Sequence, residues 1–176
     1  MAKAVFLDRD GVINRKADAP GYITRWEQMH ILPGVAEAIS LLHSADYRVL
    51  MVTNQRCVAK GLISIADLGH LHERLLTTLA QSGAIIDAIY FCPHDIEPPC
   101  SCRKPAPGML LEAAREHGIA LSQSWMVGDS DSDIEAGKRA GCKTGQIWGG
   151  QAQLSSADLT APSLIELTHK ILLQRA

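Results

Sequence analysis

Short apolar runs rich in β-branched residues, at 3–7, 48–52, 88–91 and 125–127, with a fifth strand at 144–148, alternate with segments of helical spacing. Runs this short and this apolar are covered on both faces, and strands that recur with helices between them form a parallel sheet. The periodicity predicts helices over 35–45, 65–81, 108–117, 134–140 and 163–173. Pro33-Gly34 opens the first helix, while Gly118 and Gly141 close the third and fourth. The expected fold class is therefore α/β: a doubly wound parallel sheet with helices on both faces. The 151–162 stretch is small and polar, and reads as a surface connection to the last helix.

The 176 residues suit a single domain spanning 1–176, large enough for one core without disulfide staples. Seventeen basic against nineteen acidic side chains leave no electrostatic footprint for nucleic acid or an anionic membrane. No apolar run approaches the roughly 20 residues a bilayer crossing needs. The first residues lack a long apolar region and a small-residue cleavage site, so a cytoplasmic protein is expected.

In open α/β sheets, ligands sit beyond the carboxyl ends of the strands. The polar residues there are Asp8 and Asp10, then Thr53 and Asn54, then Asp129, with Lys104 in the long loop after the third strand. Extended backbone puts the carboxylates of Asp8 and Asp10 on one side, and Gly11 lets the chain turn beside them. Convergent carboxylates joined by Asp129 repel unless a cation sits among them, and hard oxygen donors suit Mg²⁺ with substrate phosphate. A metal beside Thr and Lys is what phosphoryl transfer requires. A free carboxylate there can attack phosphorus to give an aspartyl-phosphate, and the second aspartate can protonate the leaving oxygen and then activate water. Each residue alone reads as a turn, a cap or a solvated charge; the set at successive strand ends points to function.

Two long irregular stretches, 11–32 and 92–107, have the length at which loops usually carry function. The second holds three of the five cysteines, in the pattern Cys92-x-His94-x5-Cys100-x-Cys102. Three thiolates and an imidazole complete a tetrahedral Zn²⁺ site with no position for water, a structural site. Buried free thiols or a disulfide are the alternatives that the spacing leaves open. Such a clamp would fix the loop presenting Arg103 and Lys104. Cys57 and Cys142 lie outside the pattern and are expected to pack as small hydrophobes. The other histidines, His72 among them, sit mostly on helical segments and are expected to be solvated. His30, Tyr22 and Trp26 in the first long loop are candidate pocket residues.

Phe6-Leu7-Asp8-Arg9-Asp10-Gly11-Val12-Ile13-Asn14, Val52-Thr53-Asn54-Gln55, Arg103-Lys104-Pro105 and Val127-Gly128-Asp129-Ser130 with Asp133 resemble, in order, the four motifs of the haloacid dehalogenase (HAD) superfamily phosphatases. Leu-Asp-Arg-Asp-Gly-Val-Ile-Asn and Cys-Arg-Lys-Pro resemble its small capless group of heptose bisphosphate and histidinol-phosphate phosphatases. The resemblance implies that Asp8 is the nucleophile and a Mg²⁺ ligand. Asp10 becomes the acid/base, with its backbone carbonyl on the metal, and Asp129 completes the metal site. Thr53 and Lys104 bind the phosphoryl group, Asn54 and Arg103 bind substrate, and Asp133 supports the metal site or Lys104. The group carries a similar zinc loop, which favours Zn²⁺ on Cys92, His94, Cys100 and Cys102. No segment between the motifs is long enough for a cap domain, so the two long loops shape the pocket.

The implied reaction is removal of the 7-phosphate from D-glycero-D-manno-heptose 1,7-bisphosphate by a monomeric enzyme. Histidinol phosphate or another small sugar phosphate is the alternative substrate. Arg56, Cys57 and Lys60 stand where the heptose enzymes usually have Ser, Gly and Arg. A lysine lacks the bidentate fork of arginine, so a remote phosphate is expected to be held differently, although a bisphosphate suits the extra cations Arg56, Lys60 and Arg103. A phospho-accepting receiver domain also uses acidic residues, Thr and Lys on a parallel sheet, but the motif order and the cysteine loop favour the hydrolase.

Overall fold

In the computed structural model, residues 1–148 and 155–174 are described. The elements in chain order are β1 (Lys3–Leu7), α1 (Val35–Ser44), β2 (Tyr47–Asn54), α2 (Arg56–Ala59), α3 (Ile65–Gln81), β3 (Ala88–Cys92), α4 (Gly108–His117), β4 (Trp125–Gly128), α5 (Asp131–Ala140), β5 (Lys143–Ile147), β6 (Leu159–Ala161) and α6 (Leu164–Leu173). The strands form one sheet in the order β3-β2-β1-β4-β5-β6, and every pair is parallel. The doubly wound α/β reading holds.

Strand alternation divides the core in two. Val5, Leu7, Val49, Met51 and Val127 face a cluster with Ile39 and Leu42 of α1, Leu68 and Leu75 of α3 and Leu167 of α6. Ala4, Phe6, Leu50, Val52 and Met126 face the other way, onto Met109, Leu110 and Ala113 of α4 and Ala136 of α5. β1 is thus buried on both sides, which is why its sequence shows no polar alternation.

Four differences from the sequence reading have physical causes. β2 runs two residues past the expected end, because β3 extends to Cys92 and pairs Thr53 with Phe91 and Asn54 with Cys92. A single helical turn, α2, follows at once, too short to leave a periodicity. A sixth strand lies within the stretch read as a surface connection: Leu159–Ala161 pairs with β5, and the Asp158 carboxylate accepts from the N–H and hydroxyl of Thr144 at 2.7 and 2.8 Å. The 151–154 part of that connection lies outside the described residues. α5 begins at Asp131, three residues early, since Ser130 donates its N–H and hydroxyl to the Asp133 carboxylate.

Apart from Cys92, the last residue of β3, the two long loops hold no named strand and no helix beyond a single 3₁₀ turn. The base of the first is zipped: Arg15 N–H donates to His30 O and Leu32 N–H to Ile13 O, with Asn14 bridged to Ile31. Ile23 and Met29 are buried, so the projecting part is anchored at its far end.

Candidate active site

The chain order runs outward in both directions from β1 and β4, which are neighbours, so the switch point of the sheet lies between them. A crevice opens there beyond the carboxyl ends. Asp8 follows β1, tied to β4 by its N–H on Val127 O, and Asp129 follows β4. Two glycines make this approach feasible. Gly11 has φ +94, and a Cβ on it would lie 2.0 Å from Asp129 Oδ2. A Cβ on Gly128 would lie 2.1 Å from that of Asp133.

Lys104 is only 3% exposed. Its Nζ lies 2.8 Å from Asp8 Oδ1 and 2.6 Å from Asp133 Oδ1, and donates to Val52 O at 2.8 Å. All three ammonium donors are therefore used. Burial alone would lower the lysine pKa, but Asp133 and Asp8 outweigh it and hold the group above its ordinary value. Burial pushes the Asp8 carboxyl up to about 7, with Lys104 opposing in part. Burial also raises Asp129, against the ammonium of Lys16, whose Nζ sits 2.5 Å from Asp129 Oδ2.

Asp8, Asp129 and Asp133 each offer an oxygen within 4.8 Å of the others. The Oδ1 of Asp129 is buried with no hydrogen-bond partner. A buried orphan acceptor among three carboxylates fits a hard divalent cation. The carboxylate of Asp10 is held apart from this group. Arg9 forks onto it (Nε to Oδ1 at 3.1 Å, Nη2 to Oδ2 at 2.9 Å), and Asn14 and Gln55 donate to it at 2.9 and 3.4 Å. Gln55 also donates to Thr53 Oγ1 at 2.8 Å.

Asp8, Asp10, Thr53, Asn54, Lys104 and Asp129 line one cavity of about 470 Å³, walled by residues 16, 17 and 19–23 of the first loop and by Arg56 and Lys60. Arg56 Nε lies 2.5 Å from Asp95 Oδ1, and the ammonium of Lys60 stands 5.5 Å from the Tyr22 ring. Asn54 closes an amide clamp on the Lys104 backbone, donating to its C=O and accepting from its N–H, both at 3.0 Å. Arg103 is outside this lining and donates to His94 O at 3.3 Å. Trp26 lies under Arg74 and His30 is exposed.

Cys92, His94, Cys100 and Cys102 converge as the spacing predicted. The three cysteines are free thiols, and the contacts along the cluster are 3.5 Å (Cys92 to His94 Nδ1), 3.2 Å (His94 Nδ1 to Cys102), 3.5 Å (Cys102 to Cys100) and 3.6 Å (Cys100 to Cys92). Bonds of about 2.0–2.3 Å place the ligand atoms of tetrahedral Zn²⁺ about 3.5 to 3.8 Å apart, so the donor set fits that ion. Cys57 and Cys142 are buried and pack, as expected.

Sequence reasoning missed Arg9, Asn14, Lys16 and Gln55, and it misplaced His72. That histidine is not solvated: it is 4% exposed, with Nε2 3.1 Å from Arg9 Nη1. Burial and the adjacent guanidinium push its imidazole pKa down to about 3. The signal was present, because Leu68, Leu71, His72, Leu75 and Leu79 form one helical stripe.

Residues 101–166 match a family model described as HAD-hydrolase-like. The chain is 41% identical over 140 residues to the D-glycero-beta-D-manno-heptose-1,7-bisphosphate 7-phosphatase of Bordetella bronchiseptica, covering 80% of this chain and 77% of the relative. It is 40% identical to the D-glycero-alpha-D-manno-heptose-1,7-bisphosphate 7-phosphatase of Mycobacterium bovis, over 92% and 87% of the two chains. The crystal structure of the D,D-heptose 1,7-bisphosphate phosphatase from B. bronchiseptica, complexed with magnesium and phosphate, superposes with a TM-score of 0.88 at 36% identity, over 99% of each chain. Among the described residues, no helix is long and apolar enough to cross a membrane.

With a chelator present, the folded state favours the protonated carboxyl of Asp8, so this contribution to stability is present below about pH 4 and is lost as pH rises towards 7. Asp129 acts in the same direction. The thermal shift on adding Mg²⁺ is therefore expected to be larger at pH 8 than at pH 5.5, with the difference much reduced in Asp8→Asn; a pH-independent shift would refute this account.

Proposed function

The chain belongs to the heptose-1,7-bisphosphate 7-phosphatase family of HAD-like hydrolases, and on that premise we propose that it removes the 7-phosphate of D-glycero-D-manno-heptose 1,7-bisphosphate through an aspartyl-phosphate on Asp8. The carrying observation is the Asp8 carboxylate, fixed at 2.8 Å by buried Lys104 on the floor of the cavity that Thr53 and Asp129 also line.

Asp8 attacks phosphorus, and the bond from phosphorus to the sugar oxygen breaks. Asp10 gives its proton to that oxygen, then takes one from the water that cleaves the aspartyl-phosphate, returning Asp8 and releasing phosphate. The ammonium of Lys104 and the hydroxyl of Thr53 face the phosphoryl oxygens, whose charge must be neutralised during transfer. Mg²⁺, held by Asp8, Asp129 and the Asp10 carbonyl, supplies further neutralisation when bound. Asp133 and Asn54 fix Lys104 from its two ends, the ammonium and the backbone.

Arg56 and Lys60 on the cavity wall support a bisphosphate over a monophosphate, with the 1-phosphate reaching them. Zn²⁺ on Cys92, His94, Cys100 and Cys102 holds the loop that delivers Arg103 and Lys104. Arg103 is assigned to substrate despite its present contact with His94 O. The molecule works as a monomeric, cytoplasmic, capless domain spanning 1–176.

A panel of both heptose bisphosphate anomers, the heptose monophosphates and histidinol phosphate, assayed with Mg²⁺, tests the reading. Phosphate release from C7 of one bisphosphate anomer is expected, and preference for histidinol phosphate would defeat it. Asp8→Asn should lower turnover by about 10³-fold or more. Cys102→Ala is expected to abolish the zinc content measured by elemental analysis and to cut turnover, and unchanged kinetics in a zinc-free variant would break the link between that loop and Lys104.

A further inference from the structure

Arg9 stands between the two aspartates and is 0% exposed, an unusual place for a guanidinium outside a direct substrate contact. Its Nε and Nη2 grip both oxygens of the Asp10 carboxylate. Its Nη1 reaches away from the cavity to Nε2 of His72, 3.1 Å off on the buried stripe of α3. Arginine has no acceptor, so Nε2 accepts and the neutral ring carries its proton on Nδ1. The ring is held in turn by an edge-to-face contact with Phe91 of β3, centroids 6.0 Å apart. The charged groups facing it are Arg9 and, behind it, Asp10.

We propose that His72 is a positioning residue for proton transfer: it fixes the Arg9 guanidinium, whose fork sets the direction of the Asp10 carboxylate. A chain of His72, Arg9 and Asp10 links α3 to the loop after β1. Without the acceptor at His72, Nη1 is a buried unpaired donor, and the guanidinium rotates towards another partner. The fork then turns with it, because its donors are coplanar. Asp10 loses its aim at the leaving oxygen, while Asp8, Thr53 and Lys104 are held by other contacts.

The inference rests on Asp10 as the proton donor, and leaving-group dependence separates it from a structural role. An alkoxide leaving group needs the proton of Asp10, whereas p-nitrophenolate departs without it. The comparison uses kcat/KM, which reports transfer to Asp8 and is independent of the later hydrolysis. His72→Leu is expected to lower kcat/KM roughly 10- to 100-fold for the heptose bisphosphate and less than about threefold for p-nitrophenyl phosphate. His72→Gln, which offers Arg9 an acceptor again, should recover kcat/KM to within about threefold of the unsubstituted enzyme. Arg9→Lys keeps the charge and loses the fork, so it should show the same contrast, and it decides the matter if the leucine variant fails to fold. Equal losses on the two substrates, or no loss on either, would overturn the proposal. If the unsubstituted enzyme releases nothing from the heptose bisphosphate, the proposed substrate falls; the same contrast is then read on any aliphatic phosphomonoester it hydrolyses.

Discussion

A lysine ammonium buried among two carboxylates and a strand carbonyl is the contact on which the architecture of this site depends. Taking such ions out of water costs several kcal/mol each even after relaxation, and removal of one partner typically costs about 3–5 kcal/mol. Lys104 meets that demand with Asp8, Asp133 and Val52 O, which come from three different strand ends or the helix after them. The ion pair therefore fixes β1, β2 and the start of α5 relative to one another. It also explains Gly128, since a side chain there would push Asp133 off the lysine. The loop from 92 to 107 must then deliver a charged residue over the end of β2 with no regular structure of its own. Asn54 answers this with two hydrogen bonds to the Lys104 backbone.

Asp8 and Asp10 are two residues apart, yet their surroundings differ in kind. Asp8 sits beside an ammonium and two other carboxylates, in a place whose remaining acceptors suit a cation. Asp10 faces donors only, from Arg9, Asn14 and Gln55, which fix its direction. Attack on phosphorus requires a nucleophile placed by cations, while proton transfer requires a carboxyl aimed at an oxygen, and the two environments suit the separate roles proposed for them.

The strand-end residues were legible because a parallel sheet makes chemistry at its carboxyl edge visible as a polar residue after an apolar run: Asp8 after Leu7, Asp129 after Gly128. The cysteine spacing was legible because the ligands are close in sequence. What could not be read depends on side chains meeting across the fold. Lys16 on Asp129 and Asn54 on Lys104 leave no local periodicity, and β6 is a strand of three residues whose pairing is fixed by Asp158 capping Thr144. His72 differs, for its place on the apolar stripe of α3 was readable. The general expectation that helical histidines are solvated overrode a specific pattern.

The cysteine loop acts on more than Lys104. Gln55 N–H donates to Cys92 O and Ala59 N–H to Pro93 O, while Arg56 pairs with Asp95, the residue after His94. One loop therefore holds the floor of the cavity through Lys104 and its wall through α2. Among the described residues the cavity is walled by the first loop and α2, with no second domain standing over it. Its discrimination must come from how rigidly the two loops hold their cations, because an arginine pre-set by Asp95 loses less side-chain entropy on meeting a phosphate than one free in solvent. The pair at Arg56 and Asp95 does attract the guanidinium away from an incoming anion. That competition favours a doubly charged phosphate over a carboxylate or a neutral hydroxyl, and so favours a substrate that still carries a second phosphate at its far end.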